Sequence, residues 1–242
     1  MGNKIPNHKY KYQTGDRLYL ITLKLTKMKK TILSMIILIS IGSYAQKTRL
    51  GFTTGLSIAN YKSKVDGNNE SGNAKAGFTA GVFVDVPVGK HFSFQPALNF
   101  VQKGAKENFT INNTTYKYSL NINYIEMPLN FMYNSNSKSG NFFIGAGPSL
   151  ALAAGGKYKY KDDANSISEK IKFGSADDDF MKPLDLGANI VTGFTLNSGF
   201  MFSANYNAGL NNLFPNGSAD GRLRSYYFGI KLGYLLKPGK KK

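Results

Sequence analysis

Few residues in this sequence are equipped for chemistry. Catalysis at a lipid surface needs a His beside a Ser or an acid, and the chain holds only His8 and His91. His8 falls in a leader expected to be removed. His91 adjoins the tight turn Gly89-Lys90, where an ordinary His is the simpler reading. No catalytic residue is assigned, and the chain is expected not to be an enzyme. Asp177-Asp178-Asp179 carries the hard oxygen ligands that calcium takes, without the alternating spacing of a calcium loop, and reads as a solvated charge run. Gly145-Ala146-Gly147 follows strand parity into Pro148, with no helix to aim amides at a phosphate. Asn112 and Asn113, ahead of Thr114 and Thr115, match a glycosylation sequon in form only. With no Cys there is no disulfide framework, thiolate metal site or lipoprotein signal, and no cofactor or metal is expected.

What remains is a small set of charges in unusual places. Arg49, Asp85, Glu126, Asp185 and Lys231 each sit on the polar parity of a stretch whose other parity is apolar. Burying any of them alone costs several kcal/mol, so pairing is expected. Arg49 is matched with Asp85 near one end, and Glu126 with Lys231 nearer the middle. Their chemistry is bracing; a proton or ion path is the lesser reading.

These charges need elements that turn them toward one another. In Tyr124-Ile125-Glu126-Met127-Pro128-Leu129-Asn130-Phe131-Met132-Tyr133 the odd positions from Ile125 are apolar, while Glu126, Pro128 and Asn130 share the other face. That is strand period, with a carboxylate and a proline that a buried soluble sheet rarely accepts. Seven further stretches alternate the same way, beginning near residues 49, 77, 92, 142, 184, 200 and 225. Leu120, Ile122 and Tyr124 are out of phase with the apolar face that follows: either a bulge near Tyr124 resets the phase, the favoured reading, or the upper part of this strand stands above the membrane, where parity is relaxed. Connections near 89, 137 and 197 are short. Those at 61–75, 105–118, 155–182 and 212–221 are long and polar.

Eight strands with short turns on one side and long loops on the other predict an all-β, antiparallel outer-membrane barrel, with the short turns and both termini in the periplasm. A soluble lipocalin-like ligand binder shares the strand count, and volume decides against it. An eight-stranded lumen is just wide enough to be filled by side chains, so the small and polar parity belongs inside and the Phe, Leu, Ile, Val and Tyr parity outside. The same argument disfavours an open diffusion pore. Phe92, Tyr133, Phe142, Phe200 and Tyr234 are expected to form the lower interfacial girdle.

Delivery fits this picture. Met28-Lys29-Lys30, the apolar Thr31–Ile41 and Ser43-Tyr44-Ala45 have the layout of a secretory signal peptide. Residues 1–27 read as an upstream extension, 28–45 as the signal peptide and 46–242 as the barrel domain. The formal charge of +17 falls to +10, 23 cations against 13 acids, once 1–45 are removed. No basic helix or stacking motif accompanies it, so nucleic acid is not an expected partner. Outer-membrane lipid is, and so is the barrel-assembly machinery during biogenesis.

The element Tyr124-Ile125-Glu126-Met127-Pro128-Leu129, followed by Gly145-Ala146-Gly147-Pro148, resembles the PorT-like outer-membrane β-barrel family of the Bacteroidetes, whose members often carry a Tyr-aliphatic-Glu-aliphatic-Pro strand and a Gly-rich GxGP element after it. The resemblance spans roughly residues 47–236 and implies Tyr124, Glu126, Pro128, Gly145, Gly147 and Pro148 as the family's marked positions. It also implies an outer-membrane location in a Gram-negative bacterium. Two roles follow as expectations. The first is a structural or surface-interaction protein acting through its long loops. The alternative is an accessory subunit of a secretion or envelope complex, linked by the resemblance to type IX secretion and touching partners through its turns and basic tail, Lys237 to Lys242.

Overall fold

Alternation with period two forces each stretch to present one face to lipid and one to the lumen, and the chain answers with strands and no helix among the described residues. The computed structural model describes residues 48–65, 67–111, 114–162, 165–215 and 221–236. The leader, the extension before it, the sequon asparagines Asn112 and Asn113, and the tail from Lys237 lie outside them.

The strands are β1 (Arg49–Val65), β2 (Asn68–Ser71), β3 (Asn73–Pro87), β4 (Phe92–Ile111), β5 (Thr114–Asn136), β6 (Gly140–Lys161), β7 (Ser166–Lys170), β8 (Leu184–Leu196), β9 (Phe200–Gly209) and β10 (Gly221–Leu235). Eight of them pair in sequence order as an antiparallel ring, and β10 closes onto β1 from Gly51↔Leu235 to Val65↔Gly221. The other two, β2 on β1 and β7 on β6, are short hairpin returns at the long-loop end.

Leu50, Phe52, Leu56 and Ile58 of β1 are exposed while Gly51 and Ser57 are buried, and every ring strand repeats this contrast in the belt. The bulky parity faces lipid. At the short-turn end Phe92 packs on Phe131 and Tyr133 at 5.7 and 5.6 Å, and Phe200 meets Tyr234 edge-on at 5.3 Å, which forms the lower girdle.

Three expectations are corrected. Much of the sequence assigned to long loops is strand: β4 and β5 pair out to Ile111↔Thr114, and β5 and β6 to Lys117↔Lys161. Beyond the belt the outward parity turns to Lys, Ser and Asn while the lumen-side parity becomes aromatic, so the apolar-outward pattern stops although the backbone ladder continues. The bulge lies beside Tyr124 but in β6, where pairing jumps from Asn123↔Gly155 to Tyr124↔Ala153 and leaves Ala154 unmatched. β5 itself runs in one phase against β4 through Asn123 and Tyr124, so Ile122 and Tyr124 point inward and are fully buried. Finally, the lumen face is not uniformly small or polar.

The large lumen side chains are seated over glycines. A Cβ on Gly51 would fall 2.2 Å from the Phe83 ring, on Gly145 2.1 Å from Met132 Sδ, and on Gly193 2.5 Å from the Phe143 ring. Small residues beside large ones let a narrow barrel fill without strain. The in-strand prolines fit by a different device. Pairing between β4 and β5 lapses from Pro96↔Leu129 to Asn99↔Glu126, and between β5 and β6 from Pro128↔Ser149 to Phe131↔Ala146, with register kept. Pro128 and Pro148 fall in those gaps, where each lacks the N–H a ladder bond requires.

Candidate functional site

The ring stacks the lumen into three layers. At the short-turn end Phe83, Met132, Phe143, Met201 and Leu235 form an apolar plug. Toward the long-loop end Tyr61, Ile122, Tyr124 and Ala151 form another with Ile171, Met181 and Leu213, which come from the connections after β7 and β9. Polar side chains and charges fill the space between.

At the centre is Lys103. Its Nζ donates to Asp185 Oδ2 at 2.9 Å and to Ser225 Oγ at 3.3 Å, and lies 3.6 Å from Glu126 Oε2. The rings of Tyr124 and Tyr227 flank it at 5.0 and 5.2 Å, close enough for cation–π attraction. Tyr227 donates its hydroxyl to Glu126 Oε1 at 2.6 Å, and Ser225 donates to Asp185 Oδ2 at 2.5 Å. A chain of amides continues the lattice, from Asn205 to Asn189 and from Asn189 to Asn130.

All five charges singled out from the sequence turn inward. Arg49 lies directly across from Asp85 in the β1–β3 register, with Nη2 2.6 Å and Nε 3.1 Å from Oδ2. No ion pair joins Glu126 to Lys231 among the described residues. The cation at Glu126 is Lys103, which also pairs with Asp185. Lys103 lies just before the connection at 105–118 and was not among the charges singled out from the sequence. Its signal was the parity of Ser93, Gln95, Ala97 and Asn99 carried four residues further along β4. Of the family-motif positions, Tyr124 and Glu126 touch this lattice, Pro128 lines the cavity beside it, and Gly145, Gly147 and Pro148 shape the β5–β6 seam. The space left between the layers is a cavity of about 40 Å³, lined by Glu126, Asn130, Asn189, Tyr227 and Lys231 among others, room for little more than water. No cluster of metal-ligating residues occurs among the described residues. His91 Nδ1 sits 3.1 Å from the carbonyl of Asn134 at the short-turn end. In the loop after β7, Asp178 and Asp179 are engaged by Lys172, and Asp179 also caps the amide of Ala176.

At the opposite end β4, β5, β6 and β7 rise beyond the barrel as a small sheet. The lumen-side parity continues up it and becomes aromatic. Phe109 stacks on Tyr116 and Tyr118 at 5.3 and 5.5 Å, Tyr118 meets Tyr160 at 5.0 Å, and Tyr158 stacks on Phe180 of the following loop at 6.2 Å. Phe109, Tyr118, Phe180 and Ile167 remain exposed. A rigid, exposed row of rings is an unusual use of surface.

A model of the family described as outer membrane protein beta-barrel domain matches residues 44–215. No curated protein matches the chain. Among solved structures, the attachment invasion locus protein Ail of Yersinia pestis aligns with 14% identity over 78% of this chain and 99% of its own, at a TM-score of 0.36. Neisserial surface protein A aligns with 12% identity over 76% of this chain and 96% of its own, at 0.34. The N-terminal barrel of Pseudomonas aeruginosa OprF aligns with 8% identity over 79% and 98%, at 0.32.

Proposed function

Because this chain belongs to the outer membrane protein β-barrel domain family and so resides in a Gram-negative outer membrane, we propose that it works there without catalysis, as a surface-interaction protein. Its working part is the sheet raised by β4 to β7. The observation that carries this reading is the stacked row Phe109, Tyr116, Tyr118 and Tyr160, held on paired strands and left open on one side. Aromatic side chains with polar tips give large contact area at small entropic cost, which is why Tyr dominates recognition surfaces. The lumen supports the same reading from below. Its two plugs and charged lattice make a rigid stalk rather than a passage.

The alternative is an accessory subunit of a secretion or envelope complex, PorT-like and engaged from the periplasm. One experiment separates the two. A photo-crosslinking amino acid is placed at Tyr118, on the aromatic face, and separately at Lys90 and Lys138, on the short turns, and adducts are sought on living cells. Adducts from Tyr118 that disappear when Phe109 and Tyr160 are changed to Ser support the surface role. Adducts from Lys90 or Lys138 alone would transfer the function to the periplasmic side.

A further inference from the structure

The lipid-facing side of the wall changes character abruptly where it leaves the apolar belt. On β1 and β10 the outward parity reads Leu56, Ile58 and then Lys62, Lys64; across from it Ile230, Phe228 and Tyr226 give way to Arg224, Arg222. Register opposes Lys62 to Arg224 and Lys64 to Arg222. Like charges set directly across an antiparallel pair repel, and such pairs persist only where something compensates. Among the described residues no carboxylate forms an ion pair with any of the four. They border an open groove of about 270 Å³ whose wall includes Tyr206 and Tyr226.

The same switch occurs on the far side of the barrel. There Lys117 opposes Lys161, and Lys157 opposes Lys170, again on the outward face. Next to them Lys75 Nζ donates to Ser119 Oγ at 2.9 Å and to the carbonyl of Leu120 at 3.3 Å. Burial, and then the neighbouring Lys106 and Lys159, hold its ammonium below the ordinary lysine range. Acids follow the other parity: Glu107 lies opposite Tyr118 and Glu169 opposite Tyr158, on the aromatic face. Sign is therefore sorted by face, with cations toward lipid and acids toward the barrel mouth.

We propose that this outward basic surface, seated best in the groove between Lys62, Lys64, Arg222 and Arg224, binds the phosphate groups of outer-leaflet glycolipid. The inference rests on position as much as on charge. A lipid whose acyl chains lie along Leu56, Ile58, Phe228 and Ile230 brings its headgroup to the level of the four cations, and Tyr206 and Tyr226 flank the boundary as interfacial aromatics do. Arg presents a planar fork matched to phosphate, and Lys supplies the compact charge beside it. A freely diffusing phosphate compound would share the polar contacts but leave the apolar ones unused.

The test uses the folded full-length barrel in neutral detergent and native mass spectrometry. The probes are bis-phosphorylated lipid A, the same lipid after phosphatase treatment, and inorganic pyrophosphate. Each Lys or Arg beside an anionic headgroup adds attraction to it, so the K62Q/K64Q/R222Q/R224Q variant should retain the phosphorylated lipid at least about tenfold less than the parent. The parent should also prefer it to the dephosphorylated lipid. All four side chains are exposed on the outward face, and unchanged migration of the unboiled variant in SDS will show that folding is intact. Equal retention by variant and parent, or equal retention of both lipids by the parent, would overturn the proposal. Pyrophosphate held as tightly as the lipid would overturn the assignment to a membrane lipid.

Discussion

Replacing Lys103 with Met is expected to destabilise the barrel by about 3–5 kcal/mol, the cost of leaving buried charge without its partner. Lys103 is 1% exposed and is the cation in contact with both Glu126 and Asp185. Without it two carboxylates share a sealed lumen, one Glu126 oxygen and one Asp185 oxygen already lacking a hydrogen-bond partner. The urea midpoint at which the compact, fast-migrating form is lost measures the effect. The companion triple variant Lys103→Met, Glu126→Gln and Asp185→Asn removes both signs together and should recover most of the loss, since neutralising a whole network costs far less than orphaning half of it. Glu126→Gln alone should lower the midpoint as well, because Lys103 then keeps Asp185 only. An unchanged midpoint for Lys103→Met would mean that water reaches the lattice and the lumen is not closed.

Phe143→Ala is the second large effect, about 3–5 kcal/mol of stability for a buried phenyl ring. Phe143 is packed among Phe83, Met132 and Met201 and closes the cavity from below. Its ring rests over Gly193, which has no side chain of its own to help fill the hole. The variant should unfold at lower urea, yet steady conductance in planar bilayers should stay absent, because the upper plug of Tyr61, Ile122, Tyr124 and Met181 remains. Sustained current through this single variant would show that the upper plug does not seal.

How far the fold was legible depends on where each residue sits relative to the membrane. Inside the belt the sequence is explicit, since lipid and a narrow lumen impose opposite demands on alternate residues. Leu50, Phe52 and Leu56 could face only one way, and Arg49 could find Asp85 because adjacent strands set them opposite each other. Above the belt the outward parity turns to Lys and the apolar residues move to the lumen side, so the strands of Lys117 and Lys161 break the belt's pattern and read as loop. Lys103 was hidden for a related cause. It lies past the last clean alternation, and its partners, on β5 and β8, are fixed only when the ring closes. The pairing of Glu126 with Lys231 was the best match within the belt, and a longer strand brought a better one. The lumen glycines were visible from the start, but that Gly51, Gly145 and Gly193 seat Phe83, Met132 and Phe143 is a relation between strands. No single strand shows it.

The claim on which the rest stands is that this chain closes into a stable membrane barrel with its bulky face in lipid. Migration of the membrane-extracted protein in SDS, boiled against unboiled, tests it most directly. A faster unboiled band that survives washing of the membranes with urea is the predicted result, from a ring whose every strand is paired on both sides. A single band insensitive to boiling, with the protein released as a soluble periplasmic species, would contradict it and reverse the assignment of lumen and lipid faces.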